Sequence, residues 1–230
     1  MIKAVVFDLD HTLYDRYSTL RLIAPKIKNY FKINPSLSDD QIAEIMINSD
    51  KFFVHKGWDA LQNHIINDTV LFTEKPAYDE YRKFVMGEFM HTAVEFNFVK
   101  PILSSLNAKG FKLGLITNGN STLQRKKLEI LGFNHYFDFI YVGGEHKFAK
   151  PSIEPFLITA KELSVHPNEM AYVGDNPIND IEASRNAGCL PIHINTTGTW
   201  VLPEIEKPRF SLDTVENILA VIEKYNAETI

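Results

Sequence analysis

The chain has 230 residues, 45% of them hydrophobic, and a formal net charge of −5. That length allows one large domain or one domain carrying a substantial insertion, with ample apolar content for a packed core. The acidic balance offers no basic surface for nucleic acid, the lone Cys189 excludes an intrachain disulfide and a zinc cluster, and no apolar run approaches the roughly 18 residues that span a bilayer.

Met1-Ile2-Lys3 leads straight into the first apolar run without a signal peptide, so a cytoplasmic, reducing setting is expected. Cys189 is expected to pack in the core. Nothing in the composition determines the oligomeric state.

Ala4 to Phe7 is a short apolar run of the kind buried on both faces in a parallel sheet. It ends at Asp8, with Asp10 and Thr12 at alternate positions. Residues 16–96 hold no convincing buried strand. They predict four helices: Ser18 to Phe31, Ser38 to Phe53, Trp58 to Leu71 and Ala77 to Phe89. Asn34-Pro35, Gly57 and Lys75-Pro76 break the runs. Ser38 and Gln41 have the spacing of a capping box. This all-helical stretch interrupts an α/β pattern and is expected to be an inserted cap. The expected core is then 1–15 with 97–230, and the cap 16–96.

From Phe98 the alternation resumes. Val99 to Ala108 reads as a helix and Lys112 to Thr117 as the second strand, followed by the turn Asn118-Gly119-Asn120. Ser121 and Gln124 suggest a second capping box opening a helix to Leu131. Phe137 to Val142 is the third strand and Ile153 to Leu163 a helix. Met170 to Gly174 is the fourth strand, delivering Asp175. Asn176-Pro177 then caps a helix running to Ala187. Leu190 to Ile194 is the fifth strand. A loop with Gly198, Pro203 and Pro208 leads to an edge strand at 209–211 and a final helix, Thr214 to Tyr225. Repetition at this spacing predicts a doubly wound parallel sheet with right-handed crossovers, an α/β class with a Rossmann-like core.

Parallel strands would put Asp8, Asp10, Thr117, Asn118, Asp175 and Asp180 on one edge of the sheet. Lys150 precedes Pro151, whose ring pushes it toward extended backbone. Asp8, Asp175 and Asp180 are hard oxygen donors suited to Mg²⁺, which is held by few carboxylates plus substrate phosphate. Thr117, Asn118 and the glycine turn make an anion cradle, to which Lys150 adds a charge. A carboxylate so placed can act as a covalent nucleophile. A second carboxylate two residues on can protonate the leaving oxygen and then take a proton from water.

Asp8-Leu-Asp-His-Thr12, Leu115-Ile-Thr-Asn-Gly119, Lys150-Pro151 and Val173-Gly-Asp-Asn-Pro-Ile-Asn-Asp180 resemble the four ordered motifs of the haloacid dehalogenase-like hydrolases. The similarity covers nearly the whole chain, including a helical cap between the first and second motifs. The resemblance implies that Asp8 is the nucleophile, forming an aspartyl-phosphate. Asp10 is implied as the acid/base, which also binds the metal through its carbonyl. It implies Mg²⁺ on Asp8, Asp10 and Asp175, with Asp180 direct or through water. Thr117, Asn118 and Lys150 would hold the phosphoryl group of a small phosphorylated metabolite.

The dehalogenase branch of the family lacks an acid/base aspartate at the position of Asp10, which favours phosphoryl transfer over carbon–halogen cleavage. A phosphatase is therefore the preferred reading. A phosphotransferase or mutase using the same intermediate, a dehalogenase, and a non-catalytic binding module are the rivals. His11 is expected to be a turn residue without catalytic role. Asp15 and Arg16 read as a hinge or solvated linker, and Arg125 and Lys126 as a solvated helix face. His55, Lys56, Trp58, Asn63 and His64 form a polar–aromatic cluster, read as a buried tryptophan among surface polar groups or as a face toward the leaving group. Glu145, His146 and Lys147 are taken as surface residues, and Asn176 and Asn179 as helix-capping or loop-ordering.

Overall fold

The apolar run Ala4–Phe7 forms β1, and all four of its residues are buried. A computed structural model describes residues 1–53, 56–195 and 204–229. Lys112–Thr117 (β2), Phe139–Val142 (β3), Met170–Gly174 (β4), Leu190–Ile194 (β5) and Phe210–Leu212 (β6) complete one sheet in the order β3-β2-β1-β4-β5-β6. Every pairing is parallel, with Ala4 opposite both Lys112 and Met170. The chain order reverses beside β1. In open α/β sheets that reversal opens a crevice at the carboxyl ends of the strands.

The chain divides into two compact units, Met1–Asp15 with Glu95–Ile230, and Arg16–Val94. In the first, helices Val99–Ala108 (α1), Ser121–Leu131 (α2), Glu154–Glu162 (α3), Ala183–Asn186 (α4) and Ile218–Glu228 (α5) alternate with the strands. Ala4, Val6, Ile116, Tyr141 and Tyr172 on one sheet face pack with Phe156, Ala160, Ala183, Ala187 and Cys189. Burial pushes the Cys189 thiol up to about 12, as for a packed apolar side chain. An antiparallel bridge joins Tyr14 to Glu95, where the chain leaves and re-enters this unit.

The second unit holds four further helices, Arg16–Tyr30 (α6), Asp39–Phe53 (α7), Trp58–Asp68 (α8) and Tyr78–Phe89 (α9). Their inward faces are Leu20, Ile23, Ile27, Ile42, Met46, Leu61, Ile65, Tyr81, Val85 and Phe89. The Ser38–Gln41 capping box forms: the Ser38 N–H donates to Gln41 Oε1 (2.8 Å) and the Gln41 N–H to Ser38 Oγ (3.2 Å). Arg16 corrects the expectation of a solvated linker. It is 3% exposed and opens α6, with Nε 2.9 Å and Nη2 2.8 Å from Asp50 Oδ1. Its guanidinium lies 4.7 Å from the Trp58 ring centroid. Trp58 also meets Phe89 edge-on. Asn63 and Lys56 are exposed and His64 pairs with Asp68; His55 lies outside the described residues.

Several element ends moved for local reasons. The third strand begins at Phe139 because the Asp138 carboxylate turns back to accept the Leu113 N–H at 2.9 Å. The helix from Trp58 stops at Asp68, where Thr69 is extended and its hydroxyl donates to the Ile65 carbonyl. The final helix opens with a 3₁₀ turn, Val215–Asn217, capped by Thr214. The expected loop at 196–203, including Gly198 and Pro203, lies outside the described residues. Among the described residues no helix is long and apolar enough to cross a membrane.

A buried ion pair broken on one side typically costs about 3–5 kcal/mol. Asp50→Ala is therefore expected to destabilise the Arg16–Val94 unit by about that much in urea unfolding. Adding Arg16→Met to it is expected to recover a large part of the loss.

Candidate active site

Asp8 follows β1, and its N–H donates to the Val173 carbonyl of β4 at 2.9 Å. Asp175 follows β4 directly. The two carboxylates thus leave neighbouring parallel strands at the same end of the sheet. Asp180 comes from the turn beyond. One carboxylate oxygen from each of Asp8, Asp175 and Asp180 lies within 4.8 Å of the others.

Lys150 holds this group together. Its Nζ is 2.7 Å from Asp8 Oδ1, 2.6 Å from Asp180 Oδ1 and 2.8 Å from the Tyr172 hydroxyl. Those three acceptors account for all three ammonium protons. The Asn118 side chain fixes the Lys150 main chain from both sides, donating to its carbonyl (2.7 Å) and accepting its N–H (3.0 Å). Tyr172 Oη is also 3.2 Å from the Ile116 carbonyl and 3.1 Å from Asp180 Oδ1.

Three carboxylates therefore face one ammonium. Burial pushes the Asp8 carboxyl up to about 7; Lys150 opposes the rise and Asp180 adds to it. Burial, Asp180 and Asp8 hold Asp175 well above the ordinary carboxylate range. Burial pulls Lys150 down, but Asp180 and Asp8 outweigh it and keep the ammonium charged. Among the described residues the Asp175 carboxylate has no hydrogen-bond partner. Hard oxygen donors with uncompensated charge at this spacing fit a divalent cation of the Mg²⁺ type.

Asp180 reaches the cluster because the chain after Asn176 does not start as an α-helix. Pro177–Glu182 is a wide turn of π type, a form often found at functional sites. The Asn176 side chain accepts the N–H groups of Ile178 (3.0 Å) and Asn179 (2.8 Å), the expected N-cap. The Asn176 N–H donates to Asp180 Oδ2 at 2.9 Å. Asp180 folds over the end of β4, where a Cβ on Gly174 would stand 2.5 Å from its Cγ. Only glycine leaves that space.

Asp10 stands in a second set of contacts. Lys127 Nζ is 2.7 Å from Asp10 Oδ1, and Gln124 Nε2 is 2.9 Å from Asp10 Oδ2. The same Gln124 amide donates to Thr117 Oγ1 at 2.6 Å. This corrects the expected capping box at Ser121. Asn120 is the N-cap instead, accepting the Leu123 N–H at 3.2 Å, and Gln124 is drawn inward by the Asp10 charge. Ser121 bonds to Glu145 Oε1 (2.6 Å), which also pairs with Arg125. Those bonds hold the Glu145 carboxyl down at about 2.

The sequence-predicted residues Asp8, Asp175, Asp180 and Lys150 meet directly. Asn118 lies one hydrogen bond further, through the Lys150 main chain, while Asp10 and Thr117 are joined to each other through Gln124. Gln124, Lys127 and Tyr172 escaped the sequence reading. Lys127 follows two lysine or arginine neighbours that do face solvent, and Tyr172 reads as an ordinary strand residue. The one available signal was Lys127 falling between Gln124 and Leu128 on an inward helix face. His11 sits in a turn with φ of +62°.

Residues 5–194 match the family model described as haloacid dehalogenase-like hydrolase. The chain is 28% identical to glyceraldehyde 3-phosphate phosphatase of Methanothermobacter thermautotrophicus, over 95% of this chain and 97% of that protein. It is 30% identical to phosphoglycolate phosphatase of Salmonella choleraesuis, over 82% of this chain and 79% of that protein. The crystal structure of a HAD phosphatase from Thermococcus onnurineus shares the fold, with a TM-score of 0.66 over 96% of this chain and 98% of that one, at 24% identity.

Two outcomes are expected at this site. Gly174→Ala forces Asp180 off the end of β4, and overpacking of this kind costs about 1–3 kcal/mol; chemical denaturation reads it. A carboxyl whose pKa is raised on folding binds its proton more tightly in the folded chain. Its stabilising contribution is present at low pH and is lost as pH climbs from about 4 through about 7. Chelator-treated protein should therefore lose thermal stability across that window, and Asp8→Asn should flatten the decline.

Proposed function

The chain belongs to the haloacid dehalogenase-like hydrolases, and on that premise we propose that it is a Mg²⁺-dependent phosphatase of a small phosphorylated metabolite. The observation that carries this reading is the Asp8 carboxylate at the end of β1, held 2.7 Å from Lys150 Nζ inside the acidic group. The relatives named as phosphatases support the same class of reaction.

In this reading an Asp8 carboxylate oxygen attacks phosphorus while the bond from phosphorus to the ester oxygen breaks. Asp10 gives a proton to the departing alkoxide. Water then attacks phosphorus of the aspartyl-phosphate, Asp10 takes its proton, and Asp8 leaves as carboxylate with inorganic phosphate released. Lys150 keeps Asp8 aimed and offsets charge on the phosphoryl oxygens. The Thr117 hydroxyl turns from the Asn118 carbonyl, 3.3 Å away, to donate to one of those oxygens. Because the Asn118 amide is spent on the Lys150 main chain, its share of the cradle falls to backbone N–H. Mg²⁺ held by Asp8, the Asp10 carbonyl, Asp175 and Asp180 would neutralise developing charge as a Lewis acid. Catalysis of this type rests on positioning and electrostatics. The helical insertion Arg16–Val94 is then the cap on which substrate choice depends.

Asp8→Asn is expected to bring hydrolysis of para-nitrophenyl phosphate down to background with an unchanged circular dichroism spectrum; retained turnover would overturn the covalent route. Chelator should abolish wild-type turnover and Mg²⁺ restore it. Inorganic phosphate released one-for-one with alcohol separates hydrolysis from transfer to a second hydroxyl.

A further inference from the structure

Lys127 is a lysine without a place in the motifs, yet it is 1% exposed. Lysine is almost never fully buried unless paired. Removing an ammonium from water is costly, and a buried ion pair is often no more stabilising than an apolar replacement. The neighbours on α2 that face inward, Leu123, Leu128 and Leu131, show that an apolar side chain would be at home there. The Lys127 ammonium pairs with Asp10 Oδ1, and its Nζ lies 4.8 Å from the Tyr14 ring centroid.

Gln124, one helical turn earlier on the same face, takes the other oxygen. A carboxylate only accepts hydrogen bonds, so the group 2.9 Å from Asp10 Oδ2 is the amide nitrogen. Its second proton points at Thr117 Oγ1, 2.6 Å away. Thr117 must accept there, which turns its own proton away from Gln124. One amide therefore bridges Asp10 and Thr117 Oγ1, and the Thr117 hydroxyl itself lies 3.3 Å from the Asn118 carbonyl it donates to.

We propose that Gln124 and Lys127 are positioning residues that hold the Asp10 carboxyl for proton transfer to the leaving oxygen. This rests on the phosphatase reading, and its consequence is specific. Misplacing Asp10 harms the step that needs a proton on the leaving group. It spares departure of a group that leaves readily as an anion.

The test compares phenyl phosphate, a poor leaving group, with 2,4-dinitrophenyl phosphate, a good one, in wild type, Lys127→Met, Lys127→Arg and Gln124→Met. The expected result for Lys127→Met is a loss of kcat/KM at least tenfold greater on phenyl phosphate than on the dinitrophenyl ester. Lys127→Arg should restore part of it, since charge rather than bulk is needed. Should Lys127→Met fail to fold, Gln124→Met carries the same contrast with a smaller loss. Equal losses on both esters would mean a merely structural role and overturn the inference. Wild-type protein inert toward both esters would instead overturn the phosphatase reading, and this inference with it.

Discussion

One ammonium group organises the carboxyl end of the sheet. Lys150 joins Asp8 from the strand that starts the chain to Asp180 from a turn far along it, and Tyr172 closes its third valence. Without that charge, two buried carboxylates with oxygens within 4.8 Å of one another would repel at low dielectric. With it, the group is still one-sided: Asp175 adds a third acid and the sheet edge stays electron-rich. The fold keeps a cluster whose like charges oppose one another. Such local expense is set against the rest of the fold, where the strands at the centre of the sheet are buried along their length.

Bringing three acids together depends on small backbone provisions. Gly174 leaves room for a carboxylate where any side chain would collide. The wide turn after Asn176 shifts Asp180 relative to a regular helix. The Asn118 amide holds the Lys150 main chain so that its side chain can cross to the far strands. Each of these provisions acts by placing another group.

The inserted helices follow a different logic. They are held by amphipathic packing, an aromatic cluster around Phe31 and Tyr81, and the buried pair Arg16–Asp50. That pair replaces what looked like a solvated joint: Arg16 is followed by polar residues, and its counter-charge lies 34 positions away. In the same way Gln124 has the spacing of a cap, yet serves Asp10, 114 positions earlier.

What could be read in the sequence was whatever repeats or ends locally. Apolar runs four to six residues long, broken by aspartate or threonine, announced a parallel sheet with acids at its strand ends. Helical spacing announced the insertion, and Asn176-Pro177 announced a capped turn. Hydrophobic periodicity and turn chemistry are short-range, so they survive without coordinates. Tertiary structure alone decided which polar residues face inward. Lys127, Gln124, Arg16 and Tyr172 are indistinguishable by composition from surface or ordinary core residues, because their partners are distant in sequence and the electrostatic attraction that buries them exists only once the chain has folded.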